Sequence, residues 1–195
     1  QCAFCLHGRK SGRRWRLKSP RRLVEQMRAI RAAVGTRGFV YAGSNTPAKA
    51  ADANAKAIVE AGLDVRYACF GHFKGMANAD LSLLRRSGCR AIFFGLESAS
   101  ERVLREAMHK RIDLLGAAEM LGSLRAEGIV SIASVIHPAP FEDAESRLAT
   151  LAFLRQTRPD SVPVQFPGLI PGSLWQRQAE RFGFAGIRPR AKSEA

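Results

Sequence analysis

The sequence predicts an α/β fold: a parallel sheet covered by helices, with a ligand site at the carboxyl ends of the strands. Three observations carry that expectation. Short apolar stretches recur along the chain without polar alternation, as strands buried on both faces require. Segments with helical spacing separate them, which is the cadence of parallel architectures. Each apolar stretch empties into a polar or glycine-containing loop, and in such folds those loops build the site whether the sheet is open or closed into a barrel. Periodicity does not say which.

Taken in order, Ser19-Pro20 reads as an N-cap with proline at the first helical position, and Leu23, Met27, Ile30 and Val34 recur at helical spacing until Gly35 stops the helix. Residues 38–42 read as a buried strand that empties into Gly43-Ser44-Asn45-Thr46-Pro47. An alanine-rich helix over 47–61 ends at Gly62, and 65–70 is the next strand. Residues 80–86 are helical and Gly88 closes them. Residues 91–96 then form a strand whose tip carries Glu97-Ser98. A longer helical region, 100–127, is interrupted near Arg111 and leads through Gly128 to a strand over 129–136. A helix over 143–156 follows, and a last strand over 162–166 is made imperfect by Pro163.

A chain of 195 residues is the size of one domain. It shows no initiator Met, no signal peptide, and no apolar run near the roughly 18 to 20 residues that cross a bilayer, so a soluble cytoplasmic protein with no membrane partner is the expectation. Four cysteines are too few for a disulfide framework, which favours a reducing compartment. The formal charge is +14, and eleven basic residues fall between Arg9 and Arg37 with Glu25 as the only acid among them. That density reads either as a surface for a polyanion such as nucleic acid or as solvated arginine-rich helix faces.

Cys2 and Cys5, two residues apart, place two sulfurs on one side of a tight loop. Taken alone the pair fits a zinc knuckle, an iron–sulfur site, a redox dithiol or a disulfide, with His7 a candidate third zinc ligand. No Gly-x-Gly-x-x-Gly and no Walker lysine loop occurs, which weighs against nucleotide-binding folds and against an ordinary barrel enzyme for phosphorylated substrates. Cys69 reads as a buried small residue and Cys89 as structural, while His109 reads as solvated. His72 reads either as substrate-facing or as a surface-loop histidine, and Trp15 and Phe70 as packing residues.

Five motifs then fall in sequence: Arg14-Trp15-Arg16-Leu17-Lys18-Ser19-Pro20, Ala68-Cys69-Phe70, Ser87-Gly88-Cys89-Arg90, Gly95-Leu96-Glu97-Ser98-Ala99-Ser100 and Pro171-Gly172-Ser173-Leu174-Trp175. Through this ordered set the chain resembles the radical S-adenosylmethionine (radical SAM) enzymes, and within them the group that often carries an N-terminal cobalamin (B12)-binding domain. The resemblance covers nearly the whole chain. It implies a partial parallel (β/α) barrel, TIM-like, lacking its first strand, with the core over 1–175 and a C-terminal extension starting at 176–195.

The implied chemistry is a [4Fe-4S] cluster that cleaves S-adenosylmethionine to a 5′-deoxyadenosyl radical, used for hydrogen abstraction or, with cobalamin, for methyl transfer. An electron donor is an implied partner, and the substrate is unidentified. Cys2 and Cys5 match the second half of the family's Cys-x-x-x-Cys-x-x-Cys loop. Its first cysteine is expected just before Gln1, so that this stretch by itself is expected to be inactive. Phe4 resembles the aromatic packed near adenine. Gly43, Ser44 and Asn45 sit where the family meets the methionyl amino group, without the acidic residues usual there. Glu97 resembles the acid that accepts from ribose hydroxyls, with Ser98 assisting. Ile136 ends the strand that leads to the adenine wall, where His137-Pro138-Ala139-Pro140-Phe141-Glu142 departs from the family's Leu-Pro-Gly-Glu-Thr. Substrate contacts are expected around His72 and His137 and beyond Ala195. The rival reading is a basic nucleic-acid-binding module, with Cys2, Cys5 and His7 in a metal knuckle and the Arg9 to Arg37 stretch on phosphates.

Overall fold

The computed structural model describes residues 2–7, 16–43, 45–184 and 186. Ser44, Trp15 and the basic residues Arg9, Lys10, Arg13 and Arg14 lie outside the described residues. Five parallel strands, β1 (Gly38–Val40), β2 (Arg66–Gly71), β3 (Cys89–Glu97), β4 (Val130–Ile136) and β5 (Val164–Gln165), stand side by side in chain order. The sheet curls into a half-barrel with helices on its outer face.

The helices follow their sequence signals. In α1 (Pro20–Val34) the Ser19 side chain accepts from the Arg22 amide, and Gly35 closes the helix at φ 69. Then come α2 (Ala48–Glu60) and a short α3 (Phe73–Met76), followed by α4 (Leu81–Arg86) and α5 (Glu101–Glu106). The last are α6 (Leu114–Ala126), α7 (Ala144–Thr157) and α8 (Leu174–Arg177), before a 3-10 turn at Glu180–Phe182. The turn between α4 and β3 needs Gly88: its φ is 105, and a Cβ there would lie 2.0 Å from the Val65 carbonyl oxygen.

The central strand β3 carries the core. Ile92, Phe94 and Leu96 are each fully buried among side chains of the helical layer such as Leu84, Leu121 and Leu124. Burial of each contributes about 1.5–3 kcal/mol. Alternation sends Phe93, Gly95 and Glu97 to the concave side. Cys69 and Cys89 are 2% and 0% exposed within the same core, as their structural readings expect.

Four expectations are corrected. β1 is a three-residue outer strand and not a buried five-residue one, because it pairs only with β2, and Val40 is 66% exposed. Ile30 and Val34 share the helical spacing of α1 yet are 46% and 71% exposed; Val24 and Met27 take the core contact instead. The last strand shrinks to two residues, since Pro163 can donate no ladder hydrogen bond. His72 is not on a surface loop, one of its two readings: it is half-buried and precedes α3, whose Phe73 ring stacks on Phe94 at 4.5 Å.

A second apolar cluster lies at the carboxyl end of the sheet. Ala3, Leu104, Met108, Ile136, Leu169, Trp175 and Phe182 are buried together there. It joins the cysteine loop to α5, the end of β4 and the C-terminal turns.

Candidate functional site

The site begins where β3 stops being regular. Its pairing with β4 shifts between Gly95 and Glu97, and Glu97 adopts φ 63, an uncommon conformation for a residue with a side chain. The Ser98 amide then donates to the Leu96 carbonyl at 2.8 Å, closing the tip. This bend folds the Glu97 carboxylate back over Gly95. A Cβ at Gly95 would lie 2.2 Å from Glu97 Oε1 and 2.9 Å from Lys110 Nζ, so any side chain there would displace the ends of both.

Lys110 fills the rest of that space. Its Nζ donates to Glu97 Oε1 at 3.0 Å and to the Gly95 carbonyl at 2.6 Å, and both side chains are only 9% exposed. Sequence reasoning does not single out Lys110. The available signal is the helix interruption near Arg111, which is a built turn: the Lys110 amide donates to Leu104 O, His109 sits at φ 49, and Asp113 caps α6 through the Gly116 amide.

The cysteine loop is held against the same end of the sheet. The Ala3 amide donates to Met108 O at 2.8 Å, and the Trp175 amide donates to Ala3 O at 3.1 Å. The Trp175 indole donates to Ala107 O at 2.8 Å, and Phe4 packs on the Trp175 ring at 5.4 Å. Within the loop the Cys5 amide donates to Cys2 O at 3.2 Å and the His7 amide donates to Cys5 Sγ at 3.4 Å. Both thiols are free. Burial pushes the Cys2 thiol above its ordinary value, with the Lys110 ammonium pulling it back and Cys5 and Glu97 adding to the rise. The thiol loop and the Glu97–Lys110 pair therefore share one electrostatic environment. Among the described residues no group of three His, Cys, Asp or Glu is arranged to hold a metal.

The remaining predicted residues divide. Asn45, after β1, has a buried side-chain oxygen with no hydrogen-bond partner among the described residues, while Gly43 is exposed. His72 is half-buried at the end of β2, and burial, followed by the Lys110 and Lys74 charges, holds its imidazole below the ordinary value. Ile136 is 7% exposed in the cluster that holds Ala3. Ser98 is buried, at 1% exposure: its hydroxyl meets Thr150 Oγ1 at 3.2 Å and accepts from the Ser100 amide, so it fastens the β3 tip to α7. His137 Nδ1 lies 2.7 Å from Glu142 Oε2, which also accepts from the Ala139 amide. Phe70 packs on Phe93 at 5.2 Å, and His109 is exposed.

A parallel half-barrel with a pinned thiol loop, a carboxylate at a strand tip and an unpartnered amide oxygen at the same carboxyl end defines an α/β enzyme core of the barrel type. A family model of the radical SAM superfamily matches residues 1–154, and the chain belongs to that superfamily. It is 25% identical over 179 residues to the uncharacterized methyltransferase PH0819 of Pyrococcus horikoshii, covering 90% of this chain and 39% of that one. The chain thus spans about two fifths of the length of that curated relative. Among solved structures it is similar to the radical S-adenosylmethionine methyltransferase TsrM of Kitasatospora setae, described with cobalamin and a [4Fe-4S] cluster bound. That match has a TM-score of 0.78 at 17% identity, over 97% of this chain and 36% of that one. It is also similar to coproporphyrinogen III oxidase, HemN, of Escherichia coli, a radical SAM enzyme, with a TM-score of 0.62 at 16% identity over 94% and 43% of the two chains. At these identities the likeness establishes the fold.

Proposed function

We propose that this chain forms the cluster- and S-adenosylmethionine-binding core of a radical SAM enzyme that transfers a methyl group with the help of cobalamin. The observation that carries the reading is the Cys2–Cys5 turn, pinned by Ala3 and Trp175 at the strand end where Glu97 sits. The methyl-transfer outcome is supported by the Pyrococcus relative and by the fold shared with TsrM.

The residues present fit the implied groups. Two free thiols on one turn suit an iron–sulfur centre, and the His7 amide already donates to Cys5 Sγ, the kind of hydrogen bond that tunes a ligating sulfur. The Asn45 oxygen, buried and without a partner among the described residues, is an acceptor that an amino group would satisfy. A [4Fe-4S] cluster, when bound, supplies the electron that splits the sulfonium of S-adenosylmethionine.

The rest is done by side chains of this chain. Cys2 and Cys5 would hold the cluster as thiolates, and the Lys110 ammonium would favour the charged form of Cys2. Asn45 accepts from the methionyl amino group, beside Gly43 and Ser44. Glu97 accepts from the ribose hydroxyls, and Phe4 and Ile136 supply the apolar wall that keeps water from the adenine. His72, at the end of β2, is the residue of this set offered for substrate contact, and burial and the Lys110 and Lys74 charges disfavour its protonated form.

The test is anaerobic reconstitution of the full-length protein with iron and sulfide, followed by electron paramagnetic resonance with and without S-adenosylmethionine. A reduced four-iron signal that shifts on adding S-adenosylmethionine, with 5′-deoxyadenosine formed, supports the core assignment. S-Adenosylhomocysteine formed only when cobalamin is present supports methyl transfer. Bound zinc together with salt-sensitive RNA binding, lost when Arg13, Arg14 and Arg16 are neutralised, would replace this reading by a basic metal-knuckle module.

A further inference from the structure

We infer that Lys110 is the positioning residue of the nucleoside site: its paired hydrogen bonds to Glu97 and Gly95 pin one oxygen of the β3-tip carboxylate and leave the other to accept from the ribose. The inference rests on the radical SAM reading above and concerns how this chain achieves it.

A buried ammonium beside a buried carboxylate is costly to assemble unless each charge is compensated and each hydrogen-bonding group is used. Here the compensation is specific. One Lys110 N–H goes to the Gly95 carbonyl and one to Glu97 Oε1, two acceptors separated by a single residue at the strand end. Among the described residues only Lys110 bonds to the Glu97 carboxylate. One carboxylate oxygen is therefore fixed and the second stays an acceptor in a poorly hydrated place, where a hydrogen bond to a charged group is strongest.

The lysine is itself immobilised. Its amide is tied to Leu104 O at 2.8 Å, and the nearby Met108 is fully buried and accepts from the cysteine loop through its carbonyl. Lys110 thus reaches the β3 tip from the same turn that carries the thiol loop.

The readout is selectivity for the ribose. Equilibrium affinities of the anaerobically reconstituted holoprotein are measured for S-adenosylhomocysteine and for its 2′-deoxy counterpart. The wild type is expected to favour the ribose form by about tenfold or more, the usual weight of one hydrogen bond to a charged group. In Lys110→Met the preference falls toward one, because the carboxylate has lost its anchor. Gly95→Ala, whose Cβ would meet Glu97 Oε1 at 2.2 Å, moves the carboxylate without changing any charge and gives the same loss. Lys110→Arg, which keeps the charge and donors, recovers part of the preference. Circular dichroism selects the variants that fold. If either folded variant, Met or Ala, binds both ligands more weakly by the same factor, so that the wild-type preference survives, Lys110 only packs and the inference is overturned. A wild-type holoprotein that binds neither ligand overturns the radical SAM reading first, and the inference with it.

Discussion

Cys2 and Cys5 stand on one turn, and the Cys5 sulfur already accepts from the His7 amide, so that thiol has a defined direction before any metal arrives. Loss of an orienting partner around a metal site commonly costs 10- to 100-fold in affinity, and loss of a ligand costs no less. Cys2→Ser and Cys5→Ser are each expected to lower iron retention about tenfold or more after reconstitution, measured by iron and sulfide assay with circular dichroism unchanged. Trp175 has the opposite character. It is 1% exposed, its indole and amide are both hydrogen-bonded, and it meets Phe4, Phe182 and Phe184. Trp175→Ala should cost about 3–5 kcal/mol in urea unfolding, the range for truncating a buried aromatic. Cluster retention should fall with it, because Phe4 between the two thiols loses the ring it packs on and Ala107 O loses the indole donor.

At the scale of elements, the break between α5 and α6 matters more than either helix. A continuous helix would carry Lys110 past the β3 tip; the turn holds it there, closed on one side by the Lys110 amide on Leu104 O and on the other by Asp113 capping α6. Asp113→Ala should destabilise the protein by about 1 kcal/mol, as loss of an N-cap does. It should also weaken S-adenosylhomocysteine binding, measurable by calorimetry. The entry to β3 is equally constrained. Gly88→Ala places a methyl 2.0 Å from the Val65 carbonyl oxygen at φ 105, and should cost about 1–3 kcal/mol or more by chemical denaturation. Neither site touches the proposed ligands, so a fall in stability without a change in metal stoichiometry is the expected signature of Gly88→Ala.

Across the whole molecule, the five strands follow chain order and the sheet curls, so every strand ends on one side and the concave face looks onto Glu97. The far side of that sheet is sealed by Asp160. Its carboxylate accepts from the Ser131 amide at 2.7 Å and from the Ser131 hydroxyl at 2.8 Å, tying the segment before β5 to β4. The backbone bond from Ser131, then the hydroxyl bond, holds this carboxyl below its ordinary value of 3.8. A depressed folded value means the contribution is present above the ordinary value and is lost as pH falls through the lower, folded one. Acid unfolding of the wild type should therefore steepen below about pH 4, and Asp160→Asn should remove that steepening while lowering stability at neutral pH. Thermal melts from pH 7 to 3 would show it.

The sequence alone determined the alternation of apolar strands and helices, the cap at Ser19, the start of a helix at Asp143 and the place of Glu97 at a strand tip. These are local facts: spacing, proline, glycine and capping chemistry act within a few residues, so a linear reading can see them. Its resemblance to radical SAM enzymes added the half-barrel, which periodicity left open. Other features needed the folded chain. Val40 and Val34 look apolar in sequence but are exposed, because burial depends on which elements lie alongside. Ser98 sits in the signature stretch yet serves Thr150, 52 positions away along the chain. Lys110 is one lysine among many until the β3 bend, the missing side chain of Gly95 and the α5–α6 turn meet around it. Pairing of charges across distant segments is a property of the tertiary fold, since only packing removes the water that would otherwise make such a lysine interchangeable with the rest.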